Sequence, residues 1–143
     1  MKALRWHGNR DVCFEDVPEP ETGTGQVKLK INLAGICGAD LKEYLDDPVT
    51  IAVDKALITL GHEFAGEVMA LGKDVTGFGI GDRVTGLGRW YCGYCHYCKK
   101  GMYNLCLNEP FTGSTEAGCM AEYMVAPTNM VSKVLLEAPN LRK

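Results

Sequence analysis

Features that point to a membrane or a nucleic acid are missing from this chain of 143 residues. No stretch approaches the roughly 20 apolar residues that cross a bilayer as a helix. The N-terminal segment MKALRWHG also lacks the apolar core of a signal peptide. The formal net charge is -3, so no excess of positive charge attracts nucleic acid or an acidic membrane surface. We therefore expect a cytoplasmic protein without nucleic-acid or membrane partners.

The glycine-rich fingerprint of a dinucleotide-binding fold is missing too. That fingerprint, G-x-G-x-x-G, follows a strand and opens a helix. The nearest pattern has Gly77, Gly79 and Gly81, but it lacks the sixth-position glycine and precedes a strand-like run. We interpret these three as turn glycines. The sequence therefore predicts that residues 1–143 contain no Rossmann domain for a nicotinamide cofactor.

Short strand-like runs separated by glycine-rich turns make up most of the chain. Hydrophobic residues account for 46% and charged residues for 23% of the sequence, which is ordinary for one globular domain. Asp40–Tyr44 could form a single helical turn, and Tyr97–Gly101 a second short helix. Strands are predicted at Lys2–His7, Val12–Asp16, Val27–Leu33, Phe64–Leu71, Arg83–Thr85, Ala121–Ala126 and Met130–Leu135. This pattern predicts a mainly β fold, a small barrel or sandwich with short helices.

Cysteine, by contrast, is abundant, and four of the seven cysteines form a C-x2-C-x2-C-x7-C run. These four are Cys92, Cys95, Cys98 and Cys106. Four thiolates around one point form the tetrahedral cage of a structural zinc. Two disulfides are an alternative, although cysteines this close in sequence rarely pair without strain, and an iron–sulfur cluster is another. An odd number of cysteines without a secretion signal favours a reducing compartment, so we predict structural zinc in a lobe spanning residues 89–107.

A second, more dispersed set of metal-binding residues lies earlier in the chain. Cys37 is in the segment GICGAD, and His62 and Glu63 are in the segment GHE. A catalytic zinc typically takes three mixed protein ligands and leaves one position open. Cys37 and His62 would supply two ligands, Glu63 a third or a nearby acid, and Asp40 could orient the His62 ring. Spacing alone leaves a different interpretation open, in which Cys37 is an inert buried cysteine.

The motifs together resemble those of the zinc-dependent medium-chain alcohol dehydrogenases. GICGxD, GHEFxGEV, GDRV and the four-cysteine run occur in that family's order, from Met1 to about Val134. Met1–Gly8, Asp40–Leu45 and Gly101–Cys106 are most similar to the butanediol and polyol branch, which includes sorbitol and threonine dehydrogenases. The resemblance implies that residues 1–143 form a GroES-like β-barrel, the catalytic or substrate domain, whose Rossmann partner for NAD or NADP lies outside this chain.

The resemblance also implies a reaction and a role for each predicted site residue. It implies an oxidoreductase in which zinc polarises the oxygen of an alcohol or polyol for hydride transfer to the nicotinamide. Cys37, His62 and Glu63 match the catalytic-zinc positions, Asp40 matches the residue that orients the histidine, and the four clustered cysteines match the structural-zinc ligands. The complete enzyme is expected to be a homo-oligomer, and the isolated chain to be inactive without its cofactor domain. The alternative is a standalone zinc-binding or interaction module derived from such an enzyme.

Two positions depart from the family pattern where a proton relay is expected. Ala39 stands where the family usually has serine or threonine, and Lys42 where butanediol-type members often have histidine. Alanine neither donates nor accepts a hydrogen bond, so the departures suggest a relay rebuilt through water, a different substrate or weaker activity. Cys119 replaces a common glycine at the end of Gly113–Cys119, which resembles the family's glycine-rich turn, and we expect a small buried side chain there. Cys13 matches no motif, and we expect His7 to be a surface residue at a strand end.

Overall fold

The computed structural model describes residues 1–46, residue 51 and residues 57–134. Short antiparallel strands dominate this part of the chain, as the sequence predicts. The strands are β1 Lys2–Gly8, β2 Asp11–Asp16, β3 Gln26–Gly35, β4 Ile58–Thr59, β5 Glu63–Leu71, β6 Arg83–Gly86, β7 Tyr123–Pro127 and β8 Val131–Lys133. The helices are α1 Gly38–Leu45 and the 3-10 turns Cys98–Lys100, Tyr103–Leu105 and Thr128–Met130. The prediction of a mainly β fold with short helices is confirmed.

The strands form two antiparallel sheets that meet along β1. The larger sheet has the order β7-β3-β5-β6-β8 and curls into a half-barrel, and the smaller has the order β2-β1-β4. Ala3 of β1 pairs with Ala121, just before β7, so the edge of one sheet continues into the other. Backbone bonds from Leu4 N to Met120 O (2.8 Å) and from Glu122 N to Lys2 O (3.1 Å) extend this junction.

The hydrophobic core lies inside the curl of the larger sheet. Val27 and Leu29 of β3 are fully buried, and they pack in one cluster with Val68 of β5, Val84 of β6 and Met124 of β7. Each of these residues is the inward-facing member of an alternating strand. A second, smaller apolar cluster lies on the smaller sheet. It contains Trp6 of β1 and Ile58 of β4, together with Ile51 and Leu60.

The alternation of buried and exposed side chains along β3 does not extend to Leu33, whose side chain is 72% exposed instead of buried. The β3–β5 ladder is irregular between Ile31 and Leu33, where two steps on β3 face one step on β5. The β3–β7 ladder, moreover, ends at Lys30. The last third of β3 therefore projects beyond its neighbour on one side, and its apolar side chains are left at the surface.

Three further elements differ in extent from the sequence prediction. The helix predicted as one turn at Asp40–Tyr44 is α1, which is two turns long. Asp40 accepts a hydrogen bond from the Cys37 N–H and so caps the first turn of this helix. The second predicted helix is the 3-10 turn Cys98–Lys100. The last predicted strand is β8, and Leu135 lies outside the described residues. No helix among the described residues has the length and apolar content to cross a membrane.

The core predicts opposite outcomes for two leucines of the same strand. Leu29→Ala is expected to lower the free energy of unfolding by about 2 to 5 kcal/mol, because it leaves a cavity in a fully buried site. Leu33→Ala is the matched control, and as a surface change it should alter stability by no more than about 0.5 kcal/mol. Urea unfolding of the zinc-loaded proteins measures both, and equal losses would contradict this description of the core.

Candidate metal centres

The four clustered cysteines converge on one point in the lobe between β6 and β7. Their sulfur atoms all lie within 4.8 Å of one another, and none is in a disulfide. Cys92 Sγ and Cys98 Sγ are 4.0 Å apart. A tetrahedral zinc with Zn–S bonds of about 2.3 Å separates its sulfurs by about 3.8 Å, so this spacing fits a single ion. An iron–sulfur cluster would need wider spacing, because several irons and bridging sulfides lie between its cysteines.

Backbone groups of the lobe hold these sulfurs and set their protonation. The N–H of Cys92 donates to Cys106 Sγ (3.3 Å), and the N–H of Cys98 donates to Cys95 Sγ (3.5 Å). Backbone donors at Leu107 and Cys98 lower the pKa of Cys95 to about 6, whereas burial raises the pKa of Cys98 to about 12. Zinc binds cysteine as the thiolate, so a cation bound here would displace the thiol protons.

Contacts outside the sulfur cluster hold the lobe together and attach it to the barrel. The rings of Tyr91 and Tyr103 stack with centroids 4.0 Å apart, which closes the lobe on itself. The Asn129 side chain donates to the Tyr91 carbonyl (2.9 Å), and Arg89 pairs with Glu109 (2.8 Å) at the base of the lobe. His96, between two of the cysteines, is exposed.

The second predicted set also comes together, at the end of the β3–β5 pair in the larger sheet. Cys37 Sγ, a His62 ring nitrogen and a Glu63 carboxylate oxygen lie within 4.8 Å of one another. Cys37 directly precedes α1, and Glu63 begins β5, where it pairs with Gly35 of β3. The β3–β5 ladder therefore brings together residues that are 25 positions apart in sequence. The cysteine and histidine are half-buried and the glutamate is exposed.

Asp40 lies next to this set and contacts Cys37 and His62 in different ways. Its Oδ2 accepts the Cys37 N–H at 2.8 Å, which fixes the start of α1. Its Oδ1 is 3.7 Å from His62 Nδ1, within ion-pair range but longer than a hydrogen bond. The carboxylate is buried, so its negative charge acts on the histidine ring with little screening. Asp40 therefore lies beside both Cys37 and His62 but makes no direct hydrogen bond to the histidine ring, and its orienting role stays a prediction.

Two residues that the motifs do not include confine the His62 ring. Phe111 lies against it with ring centroids 4.9 Å apart, and the Arg89 guanidinium covers Phe111 at 4.2 Å. A Cβ at Gly88 would lie 2.5 Å from His62 Cβ and 3.0 Å from the Phe111 ring. The only hint in the sequence is the absence of a side chain at Gly88. No local pattern connects either residue with a histidine so far away in the chain.

An open cleft of ≈ 480 Å³ lies beside the Cys37–His62–Glu63 set. Its walls include His62, Glu63 and Thr85 together with the apolar side chains of Leu33 and Leu87. Those two leucines are 72% and 76% exposed. The cleft therefore combines the nitrogen and oxygen donors of His62 and Glu63 with apolar walls that suit the carbon skeleton of a small molecule.

The fold and these two sites agree with a known domain family. Residues 23–136 match the family described as the alcohol dehydrogenase GroES-like domain. This chain belongs to that family, as the order of its motifs suggests. The half-barrel architecture is therefore the GroES-like fold predicted from the sequence.

Several dehydrogenases are similar to nearly the whole chain. The L-threonine 3-dehydrogenase of Photorhabdus laumondii subsp. laumondii is 42% identical over 135 residues, which cover 94% of this chain and 40% of the relative. The sorbitol dehydrogenase of Halalkalibacterium halodurans is 43% identical over 129 residues, which cover 88% and 36%. The chain thus spans about two fifths of the length of the curated relatives it matches.

Solved structures show the same partial correspondence. The 2R,3R-butanediol dehydrogenase from Bacillus subtilis superposes with a TM-score of 0.83 at 37% identity, over 94% of this chain and 40% of that one. A putative zinc-binding dehydrogenase from Sinorhizobium meliloti 1021, bound to NADP, superposes with a TM-score of 0.77 at 32% identity, over 94% and 38%. The similarity therefore covers about two fifths of each of these larger proteins.

The confinement of His62 predicts contrasting effects of two glycine substitutions. Gly88→Ala is expected to lower the free energy of unfolding by about 1 to 3 kcal/mol, because the added methyl overlaps His62 and Phe111. Gly38→Ala is the control, because nothing lies within 4 Å of its added Cβ. Alanine there should leave stability unchanged or raised by about 0.5 to 1 kcal/mol, since position 38 is helical. Thermal unfolding measures both variants, and a tolerated Gly88→Ala would contradict the close packing.

Proposed function

We propose that this chain is the catalytic-domain portion of a zinc-dependent, NAD(P)-linked alcohol or polyol dehydrogenase. The observation that carries the proposal is the convergence of Cys37, His62 and Glu63 beside an open, partly apolar cleft. Membership of the alcohol dehydrogenase GroES-like domain family, and the names of the relatives, support the same reaction class.

The donor atoms of this set fit zinc. Thiolate sulfur, imidazole nitrogen and carboxylate oxygen are the ligand types that zinc takes, and a catalytic site keeps one position free of protein. When bound there, zinc supplies the Lewis acidity that makes an alcohol hydroxyl easier to deprotonate. His62 and Glu63 line the cleft, so an alcohol entering it would approach a metal bound there from the side of these two residues.

The chain's own residues prepare this position. Cys37 is fixed by its N–H bond to Asp40, and His62 is confined between Gly88 and Phe111. The Asp40 carboxylate, 3.7 Å from the ring, favours the tautomer that has its proton on Nδ1 and so leaves Nε2 free to bind a metal. Together these contacts hold sulfur and nitrogen donors in place before any substrate arrives.

Proton release requires a route other than the relay usual in this family. Ala39 is half-buried with no group that can donate or accept, and Lys42 is exposed on α1. Glu63 is exposed at the wall of the cleft, so its carboxylate can reach water there. We propose that water beside Glu63 carries the alcohol proton to solvent.

The four-cysteine cluster has a structural role in this proposal. Cys92, Cys95, Cys98 and Cys106 complete a tetrahedron with sulfur alone, which leaves no position for substrate. Their zinc would instead hold together a lobe rich in irregular loops. The alternative of an iron–sulfur carrier is disfavoured by the close spacing of the sulfurs.

The hydride acceptor would bind outside residues 1–143. The relatives are about two and a half times as long as this chain, and the S. meliloti dehydrogenase binds NADP. We propose that NAD or NADP binds a Rossmann domain that joins this one in the complete protein, whose homo-oligomeric state stays a prediction.

Removal of a cage ligand is expected to release one tightly held zinc. Cys98→Ser should lose that zinc and unfold the lobe, since structural zinc can contribute on the order of 10 kcal/mol to folding. Cys119→Ser is the control, because this buried thiol donates to the Glu63 carbonyl and a hydroxyl can do the same. Elemental analysis after gel filtration reads the zinc content, and unchanged zinc in Cys98→Ser would refute the structural site.

The function itself is tested in the complete protein that contains these residues. It should reduce NAD⁺ or NADP⁺ with butanediol, sorbitol or threonine as the hydride donor. Cys37→Ser should lower kcat/KM by about 100-fold or more, because it removes a metal ligand, while the cage zinc is retained.

Other results would point elsewhere. A Cys37→Ser variant as active as the parent would contradict the assigned site. Two bound zinc ions without oxidation of any alcohol would support a zinc-binding module instead.

A further inference from the structure

The β1–β2 hairpin assembles a third set of metal-binding side chains, far in sequence from both sites above. A ring nitrogen of His7, Sγ of Cys13 and a carboxylate oxygen of Glu15 lie within 4.8 Å of one another. Cys13 and Glu15 are two residues apart on β2, so their side chains share one face of the strand. His7 reaches them from β1, and its Nε2 contacts Glu15 Oε1 directly.

An irregularity in the hairpin brings His7 to this position. The ladder pairs Trp6 with Val12 and then Gly8 with Asp11, so His7 is the extra residue of a bulge. A β-bulge changes the direction in which a side chain points, and bulges are common next to functional sites. Trp6 and Val12 pack on the opposite face into the smaller apolar cluster. The His7 side of the hairpin therefore makes no contribution to that cluster and is available for another role.

The set can be reached from solvent, and its carboxylate supplies negative charge. The Cys13 thiol donates to Asp11 Oδ1 at 3.5 Å, which adds a second carboxylate beside the set. Cys13 is exposed, and the side chains of His7 and Glu15 are 27% and 34% exposed. Arg5, which pairs with Cys13 in the ladder, lines a separate cavity. Two carboxylates and a thiol thus surround the imidazole at an accessible surface.

An ion pair between His7 and Glu15 accounts for only half of this arrangement. It explains neither the thiol nor the second carboxylate beside it. Imidazole, thiolate and carboxylate together are the ligands of zinc and neighbouring divalent ions. Nitrogen and oxygen ligands on a tetrahedral zinc are about 3.4 Å apart, so the Glu15 carboxylate would move away from the His7 ring to admit an ion.

We propose that His7, Cys13 and Glu15, beside the Asp11 carboxylate, form a third metal site that binds a divalent ion of the zinc class. The ion would link β1 to β2 near their turn. The site is independent of the dehydrogenase proposal, because it uses none of the residues of the cage or the cleft.

Cobalt titration tests this site in the Cys37→Ser variant with zinc in the cage. Thiolate bound to Co²⁺ absorbs in the near ultraviolet, and only Cys13 and the buried Cys119 remain as thiols outside the cage. We expect one equivalent of Co²⁺ to bind with this absorption. Cys13→Ser should abolish the band, and His7→Asn or Glu15→Gln should weaken binding tenfold or more, by about 1.4 kcal/mol.

Asp16→Asn is the matched control for Glu15→Gln. Asp16 neighbours Glu15 on β2 but lies on the opposite face, where it pairs with Lys2 at 2.6 Å. This variant should bind Co²⁺ like the Cys37→Ser parent, with the cage zinc unchanged. The proposal is overturned if no absorption develops below about 1 mM Co²⁺, or if Cys13→Ser and Asp16→Asn give the same titration. The hairpin would then contain a surface ion pair only.

Discussion

The antiparallel pairing of β3 with β5 is the interaction on which the rest of the structure depends. Its inner face supplies Leu29 and Val68 to the core. Its end pairs Gly35 with Glu63, so that the residues flanking the two strand ends, Cys37 and His62, meet there. A Cβ at position 35 would lie 2.5 Å from Glu63 Oε2 and 3.0 Å from Glu63 Cβ, so a larger residue there would displace the Glu63 side chain. Core and candidate catalytic centre are thus two consequences of one ladder.

The two cysteine-containing centres differ in how the chain encloses them. All four sulfurs of the cage come from one loop of 15 residues, and they complete their own tetrahedron. The Cys37–His62–Glu63 set is assembled from the ends of separate strands and is half-exposed, and its His62 and Glu63 line a cleft. The first arrangement suits a scaffold, and the second suits an ion that must meet a substrate.

Sequence reasoning succeeded where the determining interactions are local. Strand alternation and the cysteine spacing depend on neighbours within a few residues, and both predicted the observed elements. It failed where distant segments decide the outcome. The exposure of Leu33 depends on where β7 ends, and the position of His7 depends on a bulge. The two-residue strand β4 is too short for any periodicity, and the packing of Gly88 and Phe111 on His62 has no local pattern at all.

Anomalous diffraction at the zinc edge, from crystals of the protein saturated with zinc, tests the central claim most directly. Apart from any peak at the hairpin set of His7, Cys13 and Glu15, we expect one peak about 2.3 Å from each of the four cage sulfurs. We expect another about 2.3 Å from Cys37 Sγ and about 2.1 Å from a His62 ring nitrogen. A zinc-saturated crystal with the cage peak but no density between Cys37 and His62 would contradict the assignment of a catalytic centre to this domain.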